Sequence, residues 1–278
     1  MESSHLHLFF GGSYSNIHAL EALKEEAEKL QIPAANIYHT GDVVGYCASP
    51  NETVNAVRDW GINVIAGNVE VQLREGEENC GCNFDEGSRC ADFSNLWYPY
   101  AQMQVTQSNI EWMKTLKNHQ VIEVNGLRIG IIHGGIDNIS EFIFKSTPSV
   151  IKEEIIKQLN VDVIVAGHCG IPFMQQLDKS YWINPGVIGM PANDGTTRVW
   201  YVVYNSKTSS FSIHSLEYDF KKASEEMIQK NLPIEYVKTI VDGRWDNCEI
   251  LPSEETKMQG EELVEEIMRI QRKRQNQI

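Results

Sequence analysis

The chain opens on a dense apolar run inside "HLHLFF", from Leu6 to Phe10, that stops abruptly at Gly11-Gly12. Beyond it, Ile17, Leu20, Leu23, Ala27 and Leu30 recur at the three-and-four spacing of a helix buried along one face, with Ser15 or Asn16 as its cap. A short strand from Asn36 to His39, a turn at Gly41 and a helix opened by Pro50 come next. The apolar run "INVIAGN" then reads as a strand ending at Asn68. Strand, turn, helix and strand in this rhythm predict βαβ units, which place functional loops at the carboxyl ends of strands.

From Glu75 to Cys90 the pattern breaks into "EGEENCGCNFDEGSRC", too polar and glycine-rich for a core, and reads as an insertion over about 75–92. A helix capped by Thr106 follows, and "HQVIEVNGLRIGIIHGG" predicts a hairpin turning at Asn125-Gly126 whose second strand runs into His133. A helix from Ser149 to Leu159 leads to "VDVIVAGH", a buried strand ending at His168. Residues 171–216 read as several strands, with Asn193-Asp194-Gly195 as a hairpin turn. From about residue 219 the chain reads as a helical extension, closed by the charged amphipathic tail "LVEEIMRIQRKRQ". No internal repeat or linker divides it, so one domain over 1–278 is expected.

Four places share one design: a buried run enters a small-residue turn that presents a ligand-type side chain. They are Asp42 in "TGDVVG", Asn68 in "AGNVE", His133 in "IIHGG" and His168 in "AGHCG". Each alone reads as an ordinary turn or packed residue. Together, a carboxylate, a carboxamide oxygen and two imidazoles form a mixed oxygen and nitrogen set suited to Mn, Fe or Zn. Charge narrows the ligand. With 24 basic against 38 acidic side chains the chain has no surplus of cations for an extended nucleic acid, so a small phosphate ester beside a metal is the expected partner. No apolar run is long enough to span a bilayer, and the first residues lack a signal-peptide pattern. A cytoplasmic protein with no membrane partner is expected, its six cysteines being thiols or metal ligands.

In order and spacing, "GDVVGYCASPNE", "GNVE", "IIHGG", "GHCGIPF" and "INPGVIGMP" resemble the metallophosphoesterase (calcineurin-like) superfamily, especially its small bacterial phosphodiesterase branch, from Leu6 to about Tyr204. The resemblance implies an α/β fold, a four-layer α/β/β/α sandwich of two mixed sheets, with a two-metal site at the strand ends. It also implies hydrolysis of phosphomono- or phosphodiesters of small molecules or nucleotides. The first motif of such families is Asp-x-His-Gly-Asn, the third Gly-Asn-His followed by an acid, and the last Gly-His-x-His. Against that pattern the aspartate position falls on Gly12, the histidine position on Tyr14, and the asparagine is kept as Asn16. The histidine that serves as catalytic acid is replaced by Val69, and the second histidine of the last motif by Gly170. One metal position therefore retains only the shared Asp42. Its neighbour retains Asp42, Asn68, His133 and His168, of which the first three are also the residues expected at the reacting centre. One ion is expected, and two only if the stripped position is rebuilt.

Candidates for rebuilding it are Tyr14, Cys169, Cys47 and the C-x-C-x7-C group Cys80, Cys82 and Cys90, whose thiolates would favour zinc or iron if they are not plain thiols. His39, just before the Gly-Asp turn, is expected to steady a ligand through a hydrogen bond. Two functions compete: a metal-dependent hydrolase with a reduced or rebuilt site, and a lapsed scaffold that binds a nucleotide or a protein. A redox or metal-sensing role for the cysteines is a third, weaker reading.

Overall fold

The computed structural model describes residues 5–82 and 87–271. In chain order its elements begin β1 (Leu6–Phe10), α1 (Ile17–Lys29), β2 (Ile37–His39), α2 (Pro50–Trp60), β3 (Asn63–Val64), α3 (Asn68–Glu75), α4 (Arg89–Gln104) and α5 (Gln107–Met113). Then come β4 (His119–Val124), β5 (Leu127–Ile132), α6 (Ser149–Leu159), β6 (Val163–Ala166), β7 (Phe173–Gln176) and β8 (Tyr181–Asn184). The chain continues with β9 (Val199–Asn205), β10 (Ser210–Leu216), α7 (Phe220–Gln229), α8 (Ile234–Asp242), α9 (Ser253–Lys257) and β11 (Glu266–Arg269).

Alternation along the strands sorts their side chains between layers. In β1, Leu8 and Phe10 pack with Leu20 and Leu23 of α1 and Val54 and Val57 of α2, while Phe9 enters the seam with Ile129, Ile131, Val163 and Trp200. In β6, Val163 and Val165 face that same seam and Ile164 faces Ile155 and Ile156 of α6. Two sheets thus pack face to face with helices outside, ordered β11-β10-β9-β1-β2-β3 and β4-β5-β6-β8-β7. This is the four-layer α/β/β/α sandwich. Strands β1, β2 and β3 run parallel, as do β5, β6 and β8, so their carboxyl ends carry the loops that build the site.

Four local expectations change. The strand read through "INVIAGN" stops at Val64, and Asn68 begins helix α3 rather than ending a strand. The cause is Glu70, whose carboxylate accepts from the Gly67 N–H at 2.9 Å and so caps the helix from inside its first turn. Residues 89–104 form α4, a helix the sequence reading leaves out, with Pro99 in its interior. Asn193-Asp194-Gly195 is not a hairpin turn, because β8 and β9 belong to different sheets. Finally, the tail "LVEEIMRI" is not helical: β11 pairs antiparallel with β10, closing an edge otherwise left with unpaired backbone groups, and buries Ile270 in the seam. Residues 272–278 of that tail lie outside the described residues.

Candidate metal centre

Loops after β2, β5 and β6 converge with the start of α3. Asp42 and His168 both sit at a left-handed φ of 61°, a costly backbone state that turns each side chain back toward the strand ends. Asp42, His133 and His168 offer ligand atoms that all lie within 4.8 Å of one another. His133 Nδ1 stands 2.8 Å from the Thr40 carbonyl oxygen and must donate its N–H there, which leaves Nε2 facing inward. Around that Nε2 stand Asn68 Oδ1 at 2.9 Å, His168 Nδ1 at 3.0 Å and Asp42 Oδ2 at 3.2 Å.

This arrangement is a test of whether the residues fit a cation. Four lone-pair-bearing atoms point at one another, and a proton on His133 Nε2 can serve only one partner at a time. A divalent ion serves all four, and the donor set of one carboxylate, one carboxamide and two imidazoles suits Mn, Fe or Zn. The electrostatics agree. Burial pushes the Asp42 carboxyl up, but the neighbouring His133 and His168 and the Val69 N–H hold it below its usual range. Burial, then His133, push His168 down to about 3, so it is a neutral ligand near pH 7. His133 is itself raised, burial being outweighed by the Asp42 carboxylate and the Thr40 carbonyl.

Two buried side chains brace the loops. Glu70 accepts backbone N–H groups from Asp42 (2.7 Å), Gly67 (2.9 Å) and Val44 (3.2 Å), tying the Asp42 loop to the start of α3. Sequence reasoning passed over it, although an acid two positions after Asn68, at N3 of the coming helix, is the signal that could have found it. His39 does not reach a ligand as expected. Its Nδ1 accepts from Gly41 N at 3.0 Å, so Nε2 donates to Ser13 Oγ at 2.8 Å, and burial pushes it down to about 3.

The space beside Gly12 and Gly170, where the resemblance would put further ligands, is filled. A Cβ on Gly12 would collide with the Tyr14 ring, and one on Gly170 (φ +76°) would stand 3.3 Å from the indole of Trp245. Tyr14 is packed against Gly12, its phenol held well above its usual pKa by burial and then by Asp42. Asn16 is not at the cluster: Oδ1 caps α1 at Ala19 N and Nδ2 donates to the Gly189 carbonyl. Cys47, with Sγ 3.5 Å from the Gly189 carbonyl, is likewise a buried packing residue.

The remaining cysteines approach without joining the cluster. The insertion folds back so that Cys80 O and Cys82 Sγ both accept from Asn68 Nδ2, at 2.9 and 3.3 Å. Cys80 and Cys82 are free cysteines with adjacent sulfurs, the Cys82 neighbour easing Cys80 down while burial and Cys80 push Cys82 up. Cys90 opens α4 and contacts Asn247, and Cys169 receives the Asn184 amide at 3.1 Å; burial pushes them up to about 11 and about 12. Residues 83–86 of the insertion lie outside the described residues.

A sandwich of this topology with such a donor set at its strand ends defines a metallophosphoesterase-type scaffold. The comparisons with known proteins give the same class. The profile of the calcineurin-like phosphoesterase superfamily domain matches residues 5–208, and the chain belongs to that family. An uncharacterized protein of Methanocaldococcus jannaschii, MJ0912, is 27% identical over 237 residues, covering 79% of this chain and 90% of that one. Among solved structures, a metallophosphoesterase from Sphaerobacter thermophilus matches with a TM-score of 0.69 and 22% identity. The hypothetical protein PH1004 from Pyrococcus horikoshii matches with a TM-score of 0.73 and 19% identity. Each alignment covers 86% of this chain and 99% of the other, and at that identity each speaks to the fold.

Proposed function

We propose that this chain is a metal-dependent phosphoric-ester hydrolase that works with one metal position in place of two. The observation that carries the reading is the convergence of Asp42 Oδ2, Asn68 Oδ1 and His168 Nδ1 on His133 Nε2. These four residues would hold the ion, which when bound supplies Lewis acidity at the phosphoryl oxygen and acidifies the attacking water.

The chain's own residues set the rest. Asp42, Asn68 and His133 are each fixed by a backbone contact and His168 by burial. Val69 stands at the position where the family's acid is expected and cannot protonate a leaving group. Another residue or solvent must do so, and without a positioned acid about 10²–10⁴-fold is forfeited. Esters with good leaving groups lose least. The competing reading, a lapsed binding scaffold, is favoured by the aromatic filling of the stripped position. It is disfavoured by the four donors that remain aimed at one point.

The test is elemental analysis of protein purified without chelator, followed by assay on bis(p-nitrophenyl) phosphate with and without added Mn. About one equivalent of metal with Mn-dependent turnover, both lost together in His133→Ala, supports the hydrolase. Metal-free, inactive protein that still binds nucleotides supports the scaffold.

A further inference from the structure

We infer that the segment from Ile234 to Ile250, beyond the family-matched residues 5–208, selects the substrate by seating a planar aromatic arm of a singly charged phosphodiester against the metal centre. The inference rests on the hydrolase reading and names its substrate class.

A cleft opens directly off Asp42 and His168. The family-matched part of the chain contributes Tyr14, Tyr46 and Phe142, and the later segment contributes Tyr236, Trp245 and Ile250. Its apolar surface begins at a ligand, since the Phe142 ring stacks on the His168 imidazole at 4.2 Å and 28°. The Tyr46 ring sits 4.7 Å from both Tyr14 and Tyr236, so the aromatic surface is continuous from Tyr14 to α8. Trp245 is fixed at both ends. Its indole N–H donates to the Pro191 carbonyl at 2.9 Å and its backbone N–H to Asn193 Oδ1 at 2.8 Å. A rigid wall of this kind favours a flat ring, in offset or edge contact, over a flexible chain.

Charge and polarity choose the rest of the ligand. Among the described residues no lysine or arginine lines the cleft, while Asp42 and Asp246 do. Arg89 is near but already committed to Asp246 at 2.7 Å. A phosphomonoester would bring a second negative charge with no side-chain cation to meet it, whereas a diester brings one. The polar rim is also spoken for: Asn247 contacts Cys90, and Thr239 donates within its own segment to the Arg244 carbonyl. A many-hydroxyl arm would find few free partners there. An aryl arm needs none.

The test uses the full chain loaded with Mn and three probes, diphenyl phosphate, diethyl phosphate and phenyl phosphate, with dissociation constants from calorimetry. Diphenyl phosphate is expected to bind about tenfold tighter than either of the others. In Trp245→Ala the gap between diphenyl and diethyl phosphate should close while bound Mn, read by elemental analysis, stays at the parent level. Equal affinity for the two diesters, tighter binding of phenyl phosphate, or a preference that survives Trp245→Ala overturns the inference. The three-probe comparison on the parent protein decides even if the variant does not fold. If bis(p-nitrophenyl) phosphate is turned over without any aryl preference, the inference alone falls. If the loaded protein binds and hydrolyses none of these esters, the hydrolase reading falls with it.

Discussion

The ring of Tyr14 lies where a side chain on Gly12 would have to go: a Cβ there would stand 2.7 Å from the tyrosine Cζ. Gly12 itself is not among the glycines with a positive φ, so the obstacle to an aspartate is space rather than backbone conformation. Gly12→Asp alone should therefore lose about 1–3 kcal/mol through overpacking, read as a lower urea midpoint. Adding Tyr14→His removes the ring and offers an imidazole at φ 47°, a state histidine tolerates better than most residues. The double variant should recover stability and bind a second equivalent of Mn. If it folds and still binds one, the stripped position is wrongly placed.

A second prediction concerns Glu70, which accepts three buried backbone N–H groups from both sides of the site. Removing it leaves those donors without a partner, at about 1–3 kcal/mol each. Glu70→Ala should therefore unfold at markedly lower denaturant and lose Mn affinity in the same step. Glu70→Gln, which keeps one good acceptor, should fall between. Parent-like Mn binding in Glu70→Ala would show that the Asp42 loop holds its shape unaided.

The residues that cluster at the site were legible in the sequence because a turn that presents a side chain at a strand end is a local event, written in adjacent residues such as Gly41-Asp42 and Gly167-His168. The hairpin at Asn125-Gly126 was legible for the same reason, and the structure has it. What escaped were contacts made at long range. Trp245 reaches Gly170 from 75 positions downstream, and nothing near either residue announces it. The tail around Ile267 carries apolar positions Leu263, Val264, Ile267 and Met268, whose spacing favours a helix, while an unpaired strand edge favours an extended chain. The free edge of β10 decided between them. In α4 an interior Pro99 disguised the helix.

The third prediction is a pH dependence. His39 is held neutral and buried between Gly41 N and Ser13 Oγ, and burial pushes it from 6.5 down to about 3. Its folded pKa lies below its unfolded one, so the unfolded chain takes up the proton first as pH falls. The contribution is present in full above 6.5 and is lost progressively toward pH 3. Between pH 7 and pH 5, chelator-treated parent protein should lose about 2 kcal/mol more stability than His39→Gln. His168 and Glu70 remain in both proteins, so their titration cancels in the difference. Parallel urea midpoints for the two across that range would remove His39 as the cause.

The last prediction separates two ways in which the insertion can matter to the ion. Asn68 Oδ1 faces His133 Nε2 at 2.9 Å because the other end of the same amide donates to Cys80 O and Cys82 Sγ. The Cys80 carbonyl belongs to the backbone and survives any side-chain change, so Cys82 is the adjustable half of this grip. Losing it should loosen the amide without unmaking the site. Cys82→Ala is expected to weaken Mn binding about tenfold, as loss of a group that orients a ligand typically does, while Cys82→Ser, which keeps an acceptor, stays closer to the parent. A direct thiolate ligand would behave differently. Co-substituted protein would then show an intense sulfur-to-metal charge-transfer band in the near ultraviolet, and Cys82→Ser would lose metal as severely as Cys82→Ala. The ligand atoms of Asp42, His133 and His168 cluster without any cysteine sulfur, so that band should be absent. Its appearance would move Cys82 from holding Asn68 to holding the ion.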